Sequence, residues 1–316
     1  MDVLVLMGGM SSEREVSLNT GKAVAEALAE AGYKVSSYDL HPEAGRDVFD
    51  LVESPVLREA TVVFIALHGG EGEDGRIQAL LELLGKPYTG SGVRASAVSL
   101  DKSISKTIFE RHGITTPAWV HLQGEATDVA HAQQAIPGIG GLPVVVKPVD
   151  QGSTIGISIV RELEGLEPAI NLARRYSPGL LLEKYIEGRE LSVPIIEDEV
   201  YPMIEIMPKE GFYDYERKYT KGMTVYDCPA KIDDGVSQQI EEVAMKAYRV
   251  LGCENFARVD LRLGNDGVAY FLEVNTVPGM TDTSLVPMGA KVRGMSFPQL
   301  VDRITRYALR RAGIGV

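Results

Sequence analysis

Two stretches near the C-terminus place ionisable side chains where strands are expected: Arg258-Val259-Asp260-Leu261-Arg262 and Phe271-Leu272-Glu273-Val274-Asn275, joined through the turn Gly264-Asn265-Asp266-Gly267. Asn-Asp flanked by glycines between two alternating runs predicts a β-hairpin. A two- or four-residue loop there puts Arg258 opposite Glu273 and Asp260 opposite Phe271. Side chains alternate faces along a strand, so Arg258, Asp260, Glu273 and Asn275 then project from one face. Two carboxylates and a carboxamide are hard oxygen donors, too few to enclose an ion alone. That is the set magnesium takes when it shares its shell with substrate phosphates. The plain alternative is a solvated sheet face with ordinary ion pairs, and an odd loop length or a bulge breaks the shared face.

Other segments carry compatible chemistry. The apolar run Pro143-Val144-Val145-Val146-Lys147-Pro148 ends on a lysine and meets Gly152-Ser153-Thr154-Ile155-Gly156 before a second apolar run at 157–160. A cation facing a Gly-Ser loop fits a polyphosphate held from two sides. A plain hairpin fits the same residues, and GxxxxGK[ST] is absent. The loop Gly8-Gly9-Met10-Ser11-Ser12-Glu13 follows the first apolar run, where a phosphate cradle is the tempting reading. It lacks GxGxxG spacing, and Glu13 would repel a pyrophosphate; an acid there suits an ammonium group, or caps the next helix. The strand at 180–186 turns at Gly188 into another at 190–196. Such a crossover can offer backbone groups to an adenine ring and an acid to a ribose. The segment Phe212-Tyr213-Asp214-Tyr215-Glu216-Arg217-Lys218-Tyr219 has no clean period. A long loop of that composition is functional or disordered, and its aromatics favour function.

The elements that must position these groups follow an α/β rhythm. Strands are expected at 3–7, 33–38 and 61–67, with helices running from Ala23 to a Gly32 cap and around 77–84. This is a small open sheet whose function collects beyond the strand C-termini, at GGMSSE and at His68-Gly69-Gly70-Glu71-Gly72-Glu73-Asp74-Gly75. One helix is expected over 93–111, with a domain boundary near 99–102, and an amphipathic helix over 297–309, with Arg303, Arg306, Arg310 and Arg311 on its solvated side. Its 316 residues allow two or three domains. The net charge of -12 argues against nucleic acid or an anionic membrane as partner. Cys228 and Cys253 make no disulfide framework, and with five histidines a structural zinc site is not expected. No signal peptide or membrane span is legible, so a soluble cytoplasmic protein is expected.

Taken in order, the motifs GGMSSEREVS, HGGEGEDG, PYTGSGVRASAVSLDKSISK, VVVKP, GSTIGIS, LLEKYIEGREL, FYDYERKY, CPA, ARVDLRL and FLEVNTVPGMTDTSLVP resemble the D-alanyl-D-alanine ligases of the ATP-grasp superfamily, over nearly the whole chain. The resemblance implies an ATP-grasp fold of the α/β (α+β) class, with an N-terminal α/β domain at 1–100, a central subdomain at 101–186 and a C-terminal catalytic subdomain at 187–316. It implies ATP-dependent ligation of two D-alanines through an acylphosphate, for peptidoglycan precursor synthesis. D-lactate or D-serine as second substrate is the alternative. By the same resemblance Lys102 and Lys147 hold ATP phosphates, Lys218 reaches the γ-phosphate, and Ser153 and Lys184 join the nucleotide site. Glu183, Ile186 and Glu190 meet adenine and ribose. Asp260, Glu273 and Asn275 hold two Mg²⁺ ions, with Mn²⁺ as a substitute. Arg258 and the Gly279 N–H face the oxyanion. Glu13, near His68, binds the first ammonium, while Ser284 and Leu285 take the second carboxylate. Tyr219, Ser153 and Glu13 form a closing hydrogen-bonded set. A homodimer is also implied. Met10, Thr154 and Thr283 stand where the family often has Thr, Ser and His; Tyr219 is kept, which favours an amine as nucleophile.

Overall fold

A computed structural model describes residues 1–124, 129–209, 224–281 and 283–315. The described residues build three sheets. The first is parallel, in the order β2-β1-β3, from β1 (Asp2–Gly8), β2 (Lys34–Leu40) and β3 (Val62–Ile65). It is interleaved with helices α1 (Arg14–Glu30), α2 (Val48–Glu53), α3 (Pro55–Glu59) and α4 (Arg76–Leu83). Every residue of β3 is buried, as expected for a parallel strand covered on both faces.

The helix expected over 93–111 is two helices, α5 (Val93–Leu100) and α6 (Lys102–Arg111). Asp101 breaks it: its backbone is extended, and its carboxylate accepts from the N–H groups of Ser103 and Ile104. An aspartate that satisfies orphan amides starts a new helix more readily than it continues an old one. The break turns Lys102 and Lys106 inward on one face of α6, where both are buried.

The second sheet is antiparallel, in the order β4-β7-β5-β6, from β4 (Trp119–Leu122), β5 (Val144–Pro148), β6 (Ser158–Val160) and β7 (Leu180–Lys184). Helices α7 (Val129–Ala135) and α8 (Leu166–Ala173) cover one face. The third sheet has six strands, β8 (Gly188–Ile196), β9 (Glu199–Val200), β10 (Ile204–Pro208), β11 (Thr224–Asp227), β12 (Phe256–Gly264) and β13 (Ala269–Asn275). Its order is β11-β10-β8-β12-β13, with β9 paired to β8. Helix α9 (Asp234–Leu251) and residues of α5 and α6 share its core, through Ala95, Phe109, Ile240, Ala244 and Tyr248. Helices α10 (Leu285–Val292) and α11 (Phe297–Arg311) close the chain, and α11 joins the core of the first sheet through Leu300, Val301, Ile304, Ala308 and Leu309.

The outward face of α11 is not simply solvated. Arg303 pairs with Glu197 and donates to the Tyr201 hydroxyl, and Arg311 donates to the carbonyls of Tyr88 and Gly90. These arginines tie the last helix to neighbouring elements, because long side chains lay their stems on apolar surface while their heads find carbonyls.

Candidate active site

The β12–β13 hairpin forms, in a register other than the one expected. Arg258 stands opposite Asn275 and Asp260 opposite Glu273, while Leu261 is opposite Phe271. The difference has two causes. The turn is odd, with Gly264 closing on Val268 around residues 265–267, and the pairing shifts by one residue between Asp260 and Leu261, leaving Leu272 as the extra residue of β13. Each irregularity alone flips a face; together they cancel. Phe271 and Val274, three residues apart, both enter the core, and Arg258, Asp260, Glu273 and Asn275 share the opposite side, lining one cavity of about 520 Å³.

That cavity is where the described candidate residues converge. Glu13, His68, Lys102, Lys147, Ser153, Glu183, Lys184, Ile186 and Glu190 line it. So do the four residues of the hairpin face, and Gly279, Ser284 and Leu285. Lys218 and Tyr219 lie outside the described residues, as do the rest of the 212–219 segment and Asp282.

At one end, Glu13 occupies the N-cap position of α1 without capping it through its side chain. Its carboxylate instead accepts a hydrogen bond from the Ser153 hydroxyl. Ser153 and Thr154 have positive φ (50° and 62°), a conformation that costs a non-glycine residue and persists where the surroundings enforce it. Gly69 and Gly152 wall the acid: a Cβ on either would lie 2.8 Å or 2.9 Å from Glu13 Oε2. Beside it His68 Nε2 is 2.9 Å from Thr20 Oγ1, and its Nδ1 is 3.6 Å from Glu73 Oε1.

In the middle, Arg258 donates to both oxygens of Asp260, with Nε at 2.8 Å from Oδ1 and a terminal nitrogen at 2.7 Å from Oδ2. Ser192 Oγ donates to Asp260 at 2.7 Å. Lys102 Nζ lies 3.1 Å from Glu273 Oε2 and donates to the Gln151 carbonyl. Burial alone would push the Glu273 carboxyl up. Lys102, with Lys147 and Arg258, more than reverses this and holds it down at about 2, so it is ionised at any working pH. Asn275 Oδ1 accepts from the Val277 N–H. Among the described residues no group of three His, Cys, Asp or Glu is arranged to hold a metal. The donors here are two facing carboxylates and a carboxamide, an incomplete oxygen shell that fits magnesium shared with phosphates.

At the far end, Lys147 Nζ donates to Glu183 Oε1 at 2.9 Å. Glu190 pairs with Arg262 at 3.1 Å, directly across β8 and β12. The Lys184 ammonium turns away to the carbonyls of Gly140, Gly141 and Leu142. On the remaining wall Ser284 is the N-cap residue of α10, and its hydroxyl accepts from the Thr281 N–H. A Cβ on Gly279 would lie 3.1 Å from Ser284 Oγ.

Residues 108–306 match the family model of the D-ala D-ala ligase C-terminus, and residues 43–91 that of the N-terminus. The chain is 46% identical over 305 residues to D-alanine–D-alanine ligase of Aquifex aeolicus, across 96% of this chain and 99% of that one. The corresponding protein of Syntrophotalea carbinolica is 44% identical over 309 residues, across 98% of this chain and 96% of the other. The chain belongs to the D-alanine–D-alanine ligase family. D-alanine–D-alanine ligase from Bacillus anthracis complexed with ATP has the same fold, with a TM-score of 0.84 at 33% identity over 99% of this chain and 98% of that one. A second structure of that ligase gives 0.86 at 34%, covering 99% of both chains.

Set within this ligase fold, two residues of the cavity region escaped the sequence reading. Arg262 lines the cavity and grips Glu190 and the Gly188 carbonyl. Lys106, fully buried behind the cavity wall, pairs with Glu183 Oε2 at 2.5 Å. A lysine four residues after Lys102 on a helix shares its face, and that spacing was the available signal.

Proposed function

We propose that this cavity performs the ligation of its family in two steps. The γ-phosphoryl of ATP passes to the carboxylate of one D-alanine with release of ADP. The amine of a second D-alanine then attacks the acyl carbon, phosphate leaves, and D-alanyl-D-alanine is formed for peptidoglycan precursor synthesis. The observation that carries this reading is one cavity lined by a walled acid, a hairpin face of paired cations and carboxylates, and two buried lysines.

Phosphoryl transfer needs positioning and charge neutralisation more than covalent help. Lys102 and Lys147 take phosphate oxygens, with Ser153 at the loop that covers them. Glu183 and the backbone at Lys184 and Ile186 meet adenine, and Glu190 meets ribose. Asp260, Glu273 and Asn275 are the residues to hold two Mg²⁺ ions, which would neutralise the charge developing between the β- and γ-phosphates. Glu13, with His68 alongside, receives the ammonium of the first D-alanine. Ser284 and the Leu285 N–H, at the start of α10, receive the carboxylate of the second. Arg258 and the Gly279 N–H stabilise the oxyanion of amine attack. The family resemblance assigns Lys218 to the γ-phosphate and Tyr219 to a set with Ser153 and Glu13; both lie outside the described residues, and exclusion of water is what would keep the acylphosphate from hydrolysis.

We assign one sheet to each of the divisions 1–100, 101–186 and 187–316, with α5 and α6 sharing the core of the third sheet and α11 that of the first. No helix among the described residues is long and apolar enough to cross a membrane, and we assign the enzyme to the cytoplasm, where ATP is supplied. The homodimer is tested by a sedimentation mass of twice 34.3 kDa. The activity is tested by phosphate release and product mass with ATP, Mg²⁺ and D-alanine, alone or with D-lactate or D-serine. Dipeptide from D-alanine alone supports the reading. A mixed product moves second-substrate choice to the pocket around Thr283, and no product in any mixture rejects the reading.

A further inference from the structure

Helix α6 carries two buried lysines one turn apart, and each grips a different carboxylate of the cavity. Lys102 is 3.1 Å from Glu273, and Lys106 is 2.5 Å from Glu183. Lys147 meets the other oxygen of Glu183 at 2.9 Å, so one carboxylate is clamped between two ammonium groups. Lys106 also donates to the Thr116 hydroxyl. Burial pushes its ammonium down to about 8 against the pull of Glu183, and the lysines hold Glu183 ionised despite its own burial.

A cluster of this kind is poorly suited to stability alone. Buried ion pairs and triads are frequently replaced by apolar residues of similar size at no loss of stability, and α6 already supplies Phe109 to the core. The cluster instead has a consequence at the cavity. Lys147 and Glu183 line it, whereas Lys106 does not. Without Lys106, Glu183 keeps one cation among the described residues and is free to swing with Lys147 as a simple pair. With it, the carboxylate is held from both sides, and the Lys147 ammonium is fixed by the oxygen it pairs with.

We propose that Lys106 is a positioning residue for the nucleotide: clamped on Glu183 from behind, it fixes the carboxylate and, through it, Lys147 at the ATP end of the cavity. The inference rests on the assignment of Glu183 and Lys147 to ATP. It acts on nucleotide binding and leaves the D-alanine sites, at Glu13 and Ser284, untouched.

The experiment uses the full-length enzyme and the variants Lys106→Met, Glu183→Gln and the double variant, with ATP affinity measured by calorimetry without D-alanine and steady-state constants measured alongside. Lys106→Met is expected to weaken ATP affinity about 10-fold or more and raise KM for ATP similarly, with KM for D-alanine and kcat within about 3-fold. In the Glu183→Gln background the same substitution is expected to have little further effect, because its route of action is gone. Unchanged ATP affinity, an equal loss in all constants, or additive effects in the double variant overturn the proposal. If Lys106→Met does not fold, Thr116→Val, which removes the hydroxyl that holds the ammonium, carries the test: about a 3-fold weakening for ATP alone supports it and none overturns it. A wild-type enzyme that binds ATP but forms no dipeptide would sink the ligation reading and leave this one standing on the affinity data.

Discussion

The Ser153 hydroxyl donates to the Glu13 carboxylate across 140 residues of sequence, so the loop after β5 and the turn after β1 meet at a single acid. Glu13 is 6% exposed, walled by two glycines, and presents its charge to the cavity and not to its own helix. An acid held this way suits the ammonium role proposed for it. Of the two readings the sequence left open, side-chain capping of α1 by Glu13 does not occur.

Glu13→Gln keeps the shape and removes the charge. A charge-assisted hydrogen bond contributes about 1.5 to 3 kcal/mol, so KM for D-alanine should rise by roughly 10- to 100-fold while ATP affinity holds. Initial-rate kinetics with each substrate varied in turn provide the check, and a loss falling on ATP alone would remove Glu13 from the amino-acid site.

Arg258→Ala should cut kcat by about 10² to 10³, the effect of losing one oxyanion donor, while ATP still binds. Nucleotide titration and single-turnover product analysis separate the two. Near-normal turnover would dismiss the oxyanion role.

Gly188→Ala addresses the crossover between the second and third sheets. Gly188 has φ +148°, and a Cβ there would lie 2.0 Å from the Leu263 carbonyl oxygen. Backbone cannot yield as a flexible side chain does, so the variant should lose at least about 3 kcal/mol of stability. Denaturant unfolding measures it; a midpoint equal to wild type would contradict the packing described.

The Tyr33 hydroxyl donates to Asp302 at 2.7 Å, linking β2's approach to α11. Burial first, and then the Asp302 bond, push its phenol up to about 12 from an ordinary 10.0. A raised folded value means the neutral phenol is favoured by folding, so this contribution is complete below pH 10 and is lost as pH climbs towards 12. Tyr33→Phe should cost about 1 kcal/mol at neutral pH and flatten the alkaline part of the stability profile. A variant with the same alkaline slope as wild type would show that Tyr33 does not contribute to it.

Much of this was legible in the sequence because it rests on local rules. Alternation in the residues around Asp260 and Glu273 announced a shared face, and the apolar run ending at Lys147 announced a strand with a cation at its tip. The break at Asp101 was a local signal passed over, an aspartate capping the amides two and three residues on. What else escaped was non-local: Lys106 reads as a routine helix lysine until β7 brings Glu183 against it. The ion pairs of Arg303 and Arg311 likewise exist only once α11 is docked. The register of the β12–β13 hairpin was expected two residues away from its observed value near the site, an error that preserves parity and so left the face correct.

That parity makes the length of the hairpin a coded quantity. The three-residue loop and the extra Leu272 are each an odd step, and only their sum returns Glu273 and Asn275 to the side of Asp260. Deleting one loop residue alone would turn these two donors towards the apolar core or force the bulge to dissolve, whereas deleting one loop residue together with Leu272 would keep every donor in place. Insertions and deletions here are therefore tolerated in compensating pairs, and the lineage of such a hairpin can drift in length only by even steps.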